Sequence, residues 1–329
     1  RAPDIRQHNE GLAGGLAAVI LTDTVQAGLL LIGSIVITVS AVSRIGGLDE
    51  VLQRIDPDKL SLFQPLDDPS MPWLGLLTGV PLLGFYYWAT NQAIVQRVLS
   101  ARNVDHGRSG ALFAGALKLT PLFIMVLPRS AAILLYPELD NSDLVYPTLM
   151  FDLLPVGLLG LVLAGFVAAI MSQIDSSLNS ASTLVTMDFI RRFRPDLDSH
   201  QLMHIGRLVM ALFLIFAVLW APFITQFRSI FSYLQTMFSY AVPPVVALFL
   251  IGVFWPRANA TGALASVICG IATGTVLFLL IEVFGVFYLH FLYVAPVIFV
   301  VCALTLIVGS LVSKPPDPEQ IKDYLWRRS

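Results

Sequence analysis

The chain has 329 residues, 56% of them hydrophobic and only 13% charged, with a mean hydropathy of +0.78. Soluble domains typically carry about 25% charged residues, so these figures exclude an ordinary water-soluble domain and point to a membrane protein. A formal net charge of −2 supplies no global basic field, which argues against nucleic acid as a partner.

Apolar runs near the length that a ~30 Å hydrocarbon layer requires fall at residues 11–42, 71–99, 110–137, 153–189, 206–226, 229–256, 258–282 and 285–313, about eight transmembrane helices. The polar opening RAPDIRQHNE (1–10) has no initiator Met and no signal-peptide apolar core, and is expected to belong to an incomplete piece of a longer protein. An even number of spans puts both ends on one side. Fourteen of the twenty basic residues lie in the tails and alternate loops of that side, among them Arg97, Arg102, Arg108, Arg191, Arg192, Arg194, Arg207 and Arg257. The bias predicts that these segments are cytoplasmic, with residues 11–313 as one transmembrane domain, an acidic external loop at 43–70 and a cytoplasmic tail at 314–329. The expected location is a plasma membrane or bacterial inner membrane, crossed several times.

Cys269 and Cys302 sit inside apolar runs without a second Cys or His at ligand spacing, so they read as packing residues. The Asn259-Ala260-Thr261 triplet matches a glycosylation acceptor but lies on the expected inner side, where it carries no weight. Three spans are interrupted: Gly79, Pro81 and Gly84 precede the aromatic run Phe85-Tyr86-Tyr87-Trp88; Pro121 and Pro128 break the third; Pro243-Pro244 break the sixth. Breaks at membrane depth are tolerated where backbone is buried in protein or lines a cavity, as in transporters. The plainer alternative is that Gly and Pro are common in membrane helices.

An ionisable side chain near the bilayer centre costs at least ~2.5 kcal/mol on insertion scales. Asp23, Lys118 and Asp175 are placed there, whereas Arg129 and Glu282 lie nearer span ends and can snorkel. The stretch Ala168–Thr183 is unusually polar, and its polarity has a direction. At 100° per residue, Ala169, Ser172, Ser176 and Asn179 share an arc of about 80°, with Asp175 on its flank. Hydroxyls, carbonyls and a carboxylate converging in a dry setting suit a small hard cation. The structural alternative is that such residues glue neighbouring helices together.

The runs GGLAAVILTDTVQ (14–26), YYWATNQAIVQR (86–97), LKLTPLFIMVLP (117–128), MSQIDSSLNSASTLVTMD (171–188) and YLQ followed by PP (233–244) resemble the sodium:solute symporter family, most closely its sodium/glucose cotransporter branch. The resemblance runs in register from about Gly14 to Pro316. It implies an all-α, partial leucine-transporter-type inverted-repeat fold: the first span is the last helix of repeat one, the next five are repeat two, and the last two are peripheral. Four upstream core helices would then be absent from this chain.

By the same resemblance Tyr87 is the inner gate beneath a sugar, Trp88 stands beside it, and Lys118 and Gln235 bond sugar hydroxyls. An Asn that contacts sugar in some members is replaced here by Gly84. The carbonyl of Ala169 and the hydroxyl of Ser172 correspond to sodium ligands, with Gln173 at a second hydroxyl position. A second sodium site would combine Asp23 with Ser172, Asp175 and Ser176. Two carboxylates facing one site do not both ionise freely without a cation between them, so Asp23 and Asp175 are expected to share a cation or a proton.

The implied function is sodium-coupled secondary active symport of a glucose- or galactose-like sugar or a related small polar solute. Sodium is the coupling ion, no other cofactor is expected, and the solute, sodium and lipid bilayer are the partners. The chain shows no nucleophile with an activating base and no phosphate-binding glycine loop, which argues against an enzyme. The alternatives are a membrane sensor that binds solute without coupled transport, or a symporter for a non-sugar organic solute.

Overall fold

A computed structural model describes residues 5–321 and 325 apart from 62, 140 and 225–228; the side chains of residues 5–20, 59, 60 and 320 fall outside the description. The described chain is almost wholly helical. In order, its helices are α1 (Ile5–Ile45), α2 (Leu48–Arg54), α3 (Trp73–Phe85), α4 (Gln92–Leu99), α5 (Val104–Leu117), α6 (Leu127–Leu135), α7 (Val145–Leu153), α8 (Val156–Leu184), α9 (Arg191–Phe193), α10 (Ser199–Ile224), α11 (Ile230–Ala241), α12 (Pro243–Phe254), α13 (Ala260–Phe278), α14 (Phe291–Val312) and α15 (Pro318–Ile321). Wider π turns follow α3 (Tyr86–Thr90), precede α6 (Leu122–Val126), and extend α8 (Val185–Ile190) and α13 (Leu279–Val283).

Among the described residues, six stretches are long and apolar enough to cross a membrane: Leu21–Ile45, Val104–Leu135, Val156–Phe193, Ser199–Ile224, Ala260–Val283 and Phe291–Val312. The pair α11 and α12 passes the same test only taken together and is bent by 51° at its break; Pro243 and Pro244 occupy the first positions of α12, where a missing N–H is tolerated. The stretch expected at 71–99 is divided. α3 has 13 residues and α4 has eight, each short of the ~20 that a full crossing needs, and Asn91 between the π turn and α4 is extended (φ −69°, ψ 116°). Residues 5–10 are already helical, as the opening turns of α1.

The chain separates into two compact units, one comprising Arg1–Asp56 with Gln96–Ser229, the other Pro57–Val95 with Ile230–Ser329. In the first, α1 and α8 run antiparallel along a seam set by small residues. A Cβ on Gly33 would come within 2.4 Å of Val162, and one on Gly165 would touch Leu29 at 3.5 Å. The Ser172 hydroxyl, further along the same seam, donates to Asp23 Oδ1. The α1 number falls through 33, 29 and 23 as the α8 number rises through 162, 165 and 172, so one antiparallel register carries the packing into the polar stretch. Ile37, Ala41, Ala131, Ala132, Leu149, Met150, Leu154 and Val162 form this unit's apolar core.

At the C-terminal end of α1, Arg44 Nη1 lies 2.5 Å from Asp152 Oδ2, and the Tyr136 hydroxyl donates to the same oxygen. That hydroxyl, and after it the guanidinium, holds the Asp152 carboxyl below the usual carboxylate range against the opposing effect of burial. A depressed folded-state pKa gives stability that is present above the ordinary carboxylate value near 4 and is lost as pH falls through the folded value. The melting temperature in detergent is therefore expected to fall on acidification below about pH 4, and Asp152→Asn is expected to flatten that part of the profile. An identical acid limb in the variant would remove Asp152 as its source.

In the second unit, α13 lies against α14 through Gly262, Ser266, Gly270 and Gly274, all buried at four-residue spacing. Ser266 donates to the Cys302 carbonyl at 2.9 Å. Asn259 caps α13 by accepting from the Gly262 N–H at 2.9 Å, and its amide donates to Ser313 Oγ and the Lys314 carbonyl at 2.8 and 2.9 Å. The residue that resembled a glycosylation acceptor thus ties the two helices together. Gly79 of α3 sits against the backbone of Leu292, where a Cβ would fall 2.3 Å from the carbonyl oxygen.

Candidate ion and solute site

Asp23 lies within the membrane-spanning part of α1 and is a quarter exposed, its side chain at 23%. Two groups of the first unit reach it, and one of them links it to a third. The Ser172 hydroxyl donates to Oδ1, Arg97 Nη2 stands 3.1 Å from Oδ2, and the same Nη2 donates to Ser176 Oγ at 3.0 Å. Ser172 and Ser176 are one helical turn apart on α8, so the i,i+4 spacing aims both hydroxyls at one place. Carboxylate and hydroxyl oxygens of this kind are ligands for a hard cation of low charge.

The polar stretch on α8 divides along its length. Ser180 and Thr183 turn back onto the carbonyls of Ser176 and Asn179, each at 2.8 Å, and Ser182 donates to the Gly206 carbonyl of α10 at 2.7 Å. At the C-terminal end of the stretch Ser182 bonds across to another helix, as the structural alternative required, and Ser180 and Thr183 bond within α8, while the Ser172 and Ser176 turn faces the carboxylate. Ala169, one turn earlier, is half-buried and Gln173 is exposed.

Asp175 keeps different company. It is exposed and lines a cleft of 410 Å³ between α8 and α10 with Met171, Ile174, Leu178, Arg207, Met210, Ala211 and Leu214. The contacts made by Asp23 are to Ser172 and Arg97, so the carboxylate pairing expected from the sequence has no direct contact among the described side chains. Arg97 is the residue that sequence reasoning placed elsewhere, as one more cytoplasmic charge. Its signal was its position at the end of the YYWATNQAIVQR run.

The solute candidates fall in both units. In the second, Tyr87 and Trp88 lie in the π turn after α3, with ring centroids 5.5 Å apart and planes at 83°, and they remain 37% and 41% exposed. Neighbouring Tyr86 packs on Phe238 of α11 at 6.0 Å, the helix that carries half-buried Gln235. The π turn is closed by the Asn91 N–H donating to the Tyr86 carbonyl at 2.9 Å; such turns recur at functional sites. A Cβ at Gly84 would meet nothing within 4 Å, leaving room beside the aromatic run. In the first unit, Lys118 forms the C-cap of α5 just before a π turn and is exposed. Glu282, expected to snorkel, accepts a hydrogen bond from the Tyr240 hydroxyl at 3.1 Å.

The sequence model of the sodium:solute symporter family matches residues 11–270. This chain belongs to the sodium:solute symporter family. It is 34% identical to sodium/myo-inositol cotransporter 2 of Oryctolagus cuniculus over 96% of this chain and 54% of that protein. It is 33% identical to the Homo sapiens sodium/myo-inositol cotransporter over 94% and 51%, and 32% identical to the Bos taurus sodium/mannose cotransporter SLC5A10 over 96% and 61%. The chain thus spans about half the length of these relatives. A solved structure of a Na+-coupled sialic acid symporter in a substrate-bound outward-open state superposes with a TM-score of 0.75 at 22% identity, covering 92% of this chain and 64% of that one. The fold is therefore the leucine-transporter type in part, and this family member is a multi-pass integral membrane protein.

Proposed function

We propose that this chain acts in sodium-coupled secondary active symport of a sugar or cyclic polyol of hexose size. The observation that carries the reading is the oxygen set of Asp23, Ser172 and Ser176 inside the membrane-spanning part of the first unit. The relatives' names, sodium/myo-inositol and sodium/mannose cotransporters, support a polyhydroxylated solute. The Asp23 carboxylate and the two hydroxyls would hold sodium, with the Ala169 carbonyl and the Gln173 amide as further oxygens on α8 and Asp175 as the flanking carboxylate. Sodium bound there would favour the solute-loaded state, and by linkage the solute would raise sodium affinity by the same factor.

The solute residues follow from the chemistry of a sugar, which has apolar ring faces and many hydroxyls. Tyr87 and Trp88 offer an aromatic platform, and Gln235 offers an amide that both donates and accepts. Lys118 of the other unit is a separate determinant. Loss of one hydrogen bond of about 1 kcal/mol is a five- to tenfold change in affinity. Gln235→Ala is therefore expected to raise the half-saturation concentration for labelled myo-inositol or mannose by about that factor, with sodium dependence retained. Binding measured in sodium against choline tests both parts; equal binding in the two salts would reject sodium coupling. A solute sensor without transport is favoured by the guanidinium at Asp23 and by Gln173 at a hydroxyl position, and binding without accumulation would select it.

A further inference from the structure

We propose that the Arg97 guanidinium is a tethered counter-cation of the Asp23, Ser172 and Ser176 set, and that sodium enters by displacing it. The inference rests on the symport reading above. Its geometric basis is that one nitrogen, Nη2, serves both acceptors, 3.1 Å from the Asp23 carboxylate and 3.0 Å from the Ser176 hydroxyl. Ser172 holds the other carboxylate oxygen. A cationic nitrogen thus stands among the oxygens that a small cation would use.

Charge conservation gives the exchange its logic. An unpaired carboxylate at membrane depth is costly, so a set that merely emptied would be destabilised each time sodium left. Guanidinium and sodium carry the same single charge, and their exchange keeps Asp23 neutralised throughout. The grip is also releasable. Arginine binds carboxylates most firmly through two parallel N–H donors, and here the contacts come from one nitrogen. The pair is open to water and ions, with side-chain exposures of 34% for Arg97 and 23% for Asp23. The carrier helix α4 has eight residues, none of them buried, and begins directly after the break at Asn91. A short, loosely packed helix beside a break suits a side chain that must leave and return.

A resident competitor lowers apparent sodium affinity by the fraction of time that it vacates the set. If Arg97 occupies the set about nine-tenths of the time, removing its charge strengthens sodium binding roughly tenfold. The test is binding of radioactive sodium to the full chain in detergent. Arg97→Gln is expected to lower the half-saturation concentration about tenfold, and Arg97→Lys to stay near wild type. Unchanged or weaker binding in Arg97→Gln overturns the inference. To separate the charge from any folding defect, Arg97→Cys is treated with 2-aminoethyl methanethiosulfonate, which restores a positive charge, or with methyl methanethiosulfonate, which does not. Wild type treated alike controls for half-buried Cys269 and buried Cys302. Tighter sodium binding after the neutral reagent than after the charged one supports displacement, and equal binding overturns it. If wild type binds no sodium at all, the symport reading fails and this inference with it. If wild type binds sodium and Arg97 has no influence, only this inference fails.

Discussion

Asp23→Asn is expected to weaken sodium-stimulated solute binding by at least about tenfold, with most of the change in sodium half-saturation. Asn keeps the shape of the side chain and an oxygen for the Ser172 hydroxyl, so the helix seam stays in place. What disappears is the negative charge, and with it the counter-ion of Arg97. Hydrogen bonds to charged groups contribute about 1.5–3 kcal/mol, which corresponds to roughly 10- to 150-fold in affinity. Asp175→Asn is the informative companion. Asp175 lines the cleft against α10, so its replacement is expected to shift sodium half-saturation by less. Equal shifts in the two variants would restore a cation shared between the carboxylates, and no shift in Asp23→Asn would place sodium elsewhere.

Gly262→Ala is expected to be among the most damaging single-methyl changes outside the ion site. The added carbon would lie 2.1 Å from Ser310 Oγ and 2.5 Å from the Leu306 carbonyl oxygen, and the second of these is backbone, which cannot rotate away. α13 must then move off α14, loosening the Ser266 bond to Cys302 and the Asn259 fork. Overpacking of a tight contact costs typically about 1–3 kcal/mol, and in lipid no hydrophobic gain compensates for lost helix contact. The melting temperature in detergent should fall by several degrees, on the order of 2–4 °C per kcal/mol for chains of a few hundred residues. Gly110→Ala is the control, because a Cβ there meets nothing within 4 Å. Equal melting of wild type and Gly262→Ala would show that the two helices can part without cost.

Much of this was legible in the sequence because membrane physics writes it there plainly. Apolar length marks the spans, and Pro243-Pro244 marks the bend. The helical wheel placed Ser172 and Ser176 on one face of α8, where the structure finds them. The wheel also put Asp175 on the flank, but an angle on one helix does not say which neighbour takes that side; α10 does. The π turns at Tyr86–Thr90 and Leu122–Val126 were seen only as interruptions, since one extra residue per turn leaves no separate mark on apolar periodicity. Arg97 was missed because the positive-inside count treats every basic residue near a span end alike. Its long side chain reaches from α4 to a carboxylate 74 positions earlier in the chain, a contact that no local pattern encodes.

The decisive measurement is uptake of labelled myo-inositol, mannose, glucose and galactose into proteoliposomes that hold the full chain, with an inward sodium gradient. Symport predicts that at least one of these solutes accumulates above its external concentration, and that accumulation collapses when sodium is replaced by choline or its gradient is dissipated. Accumulation that is indifferent to sodium would contradict it, as would sodium-dependent binding with no accumulation of any of the four.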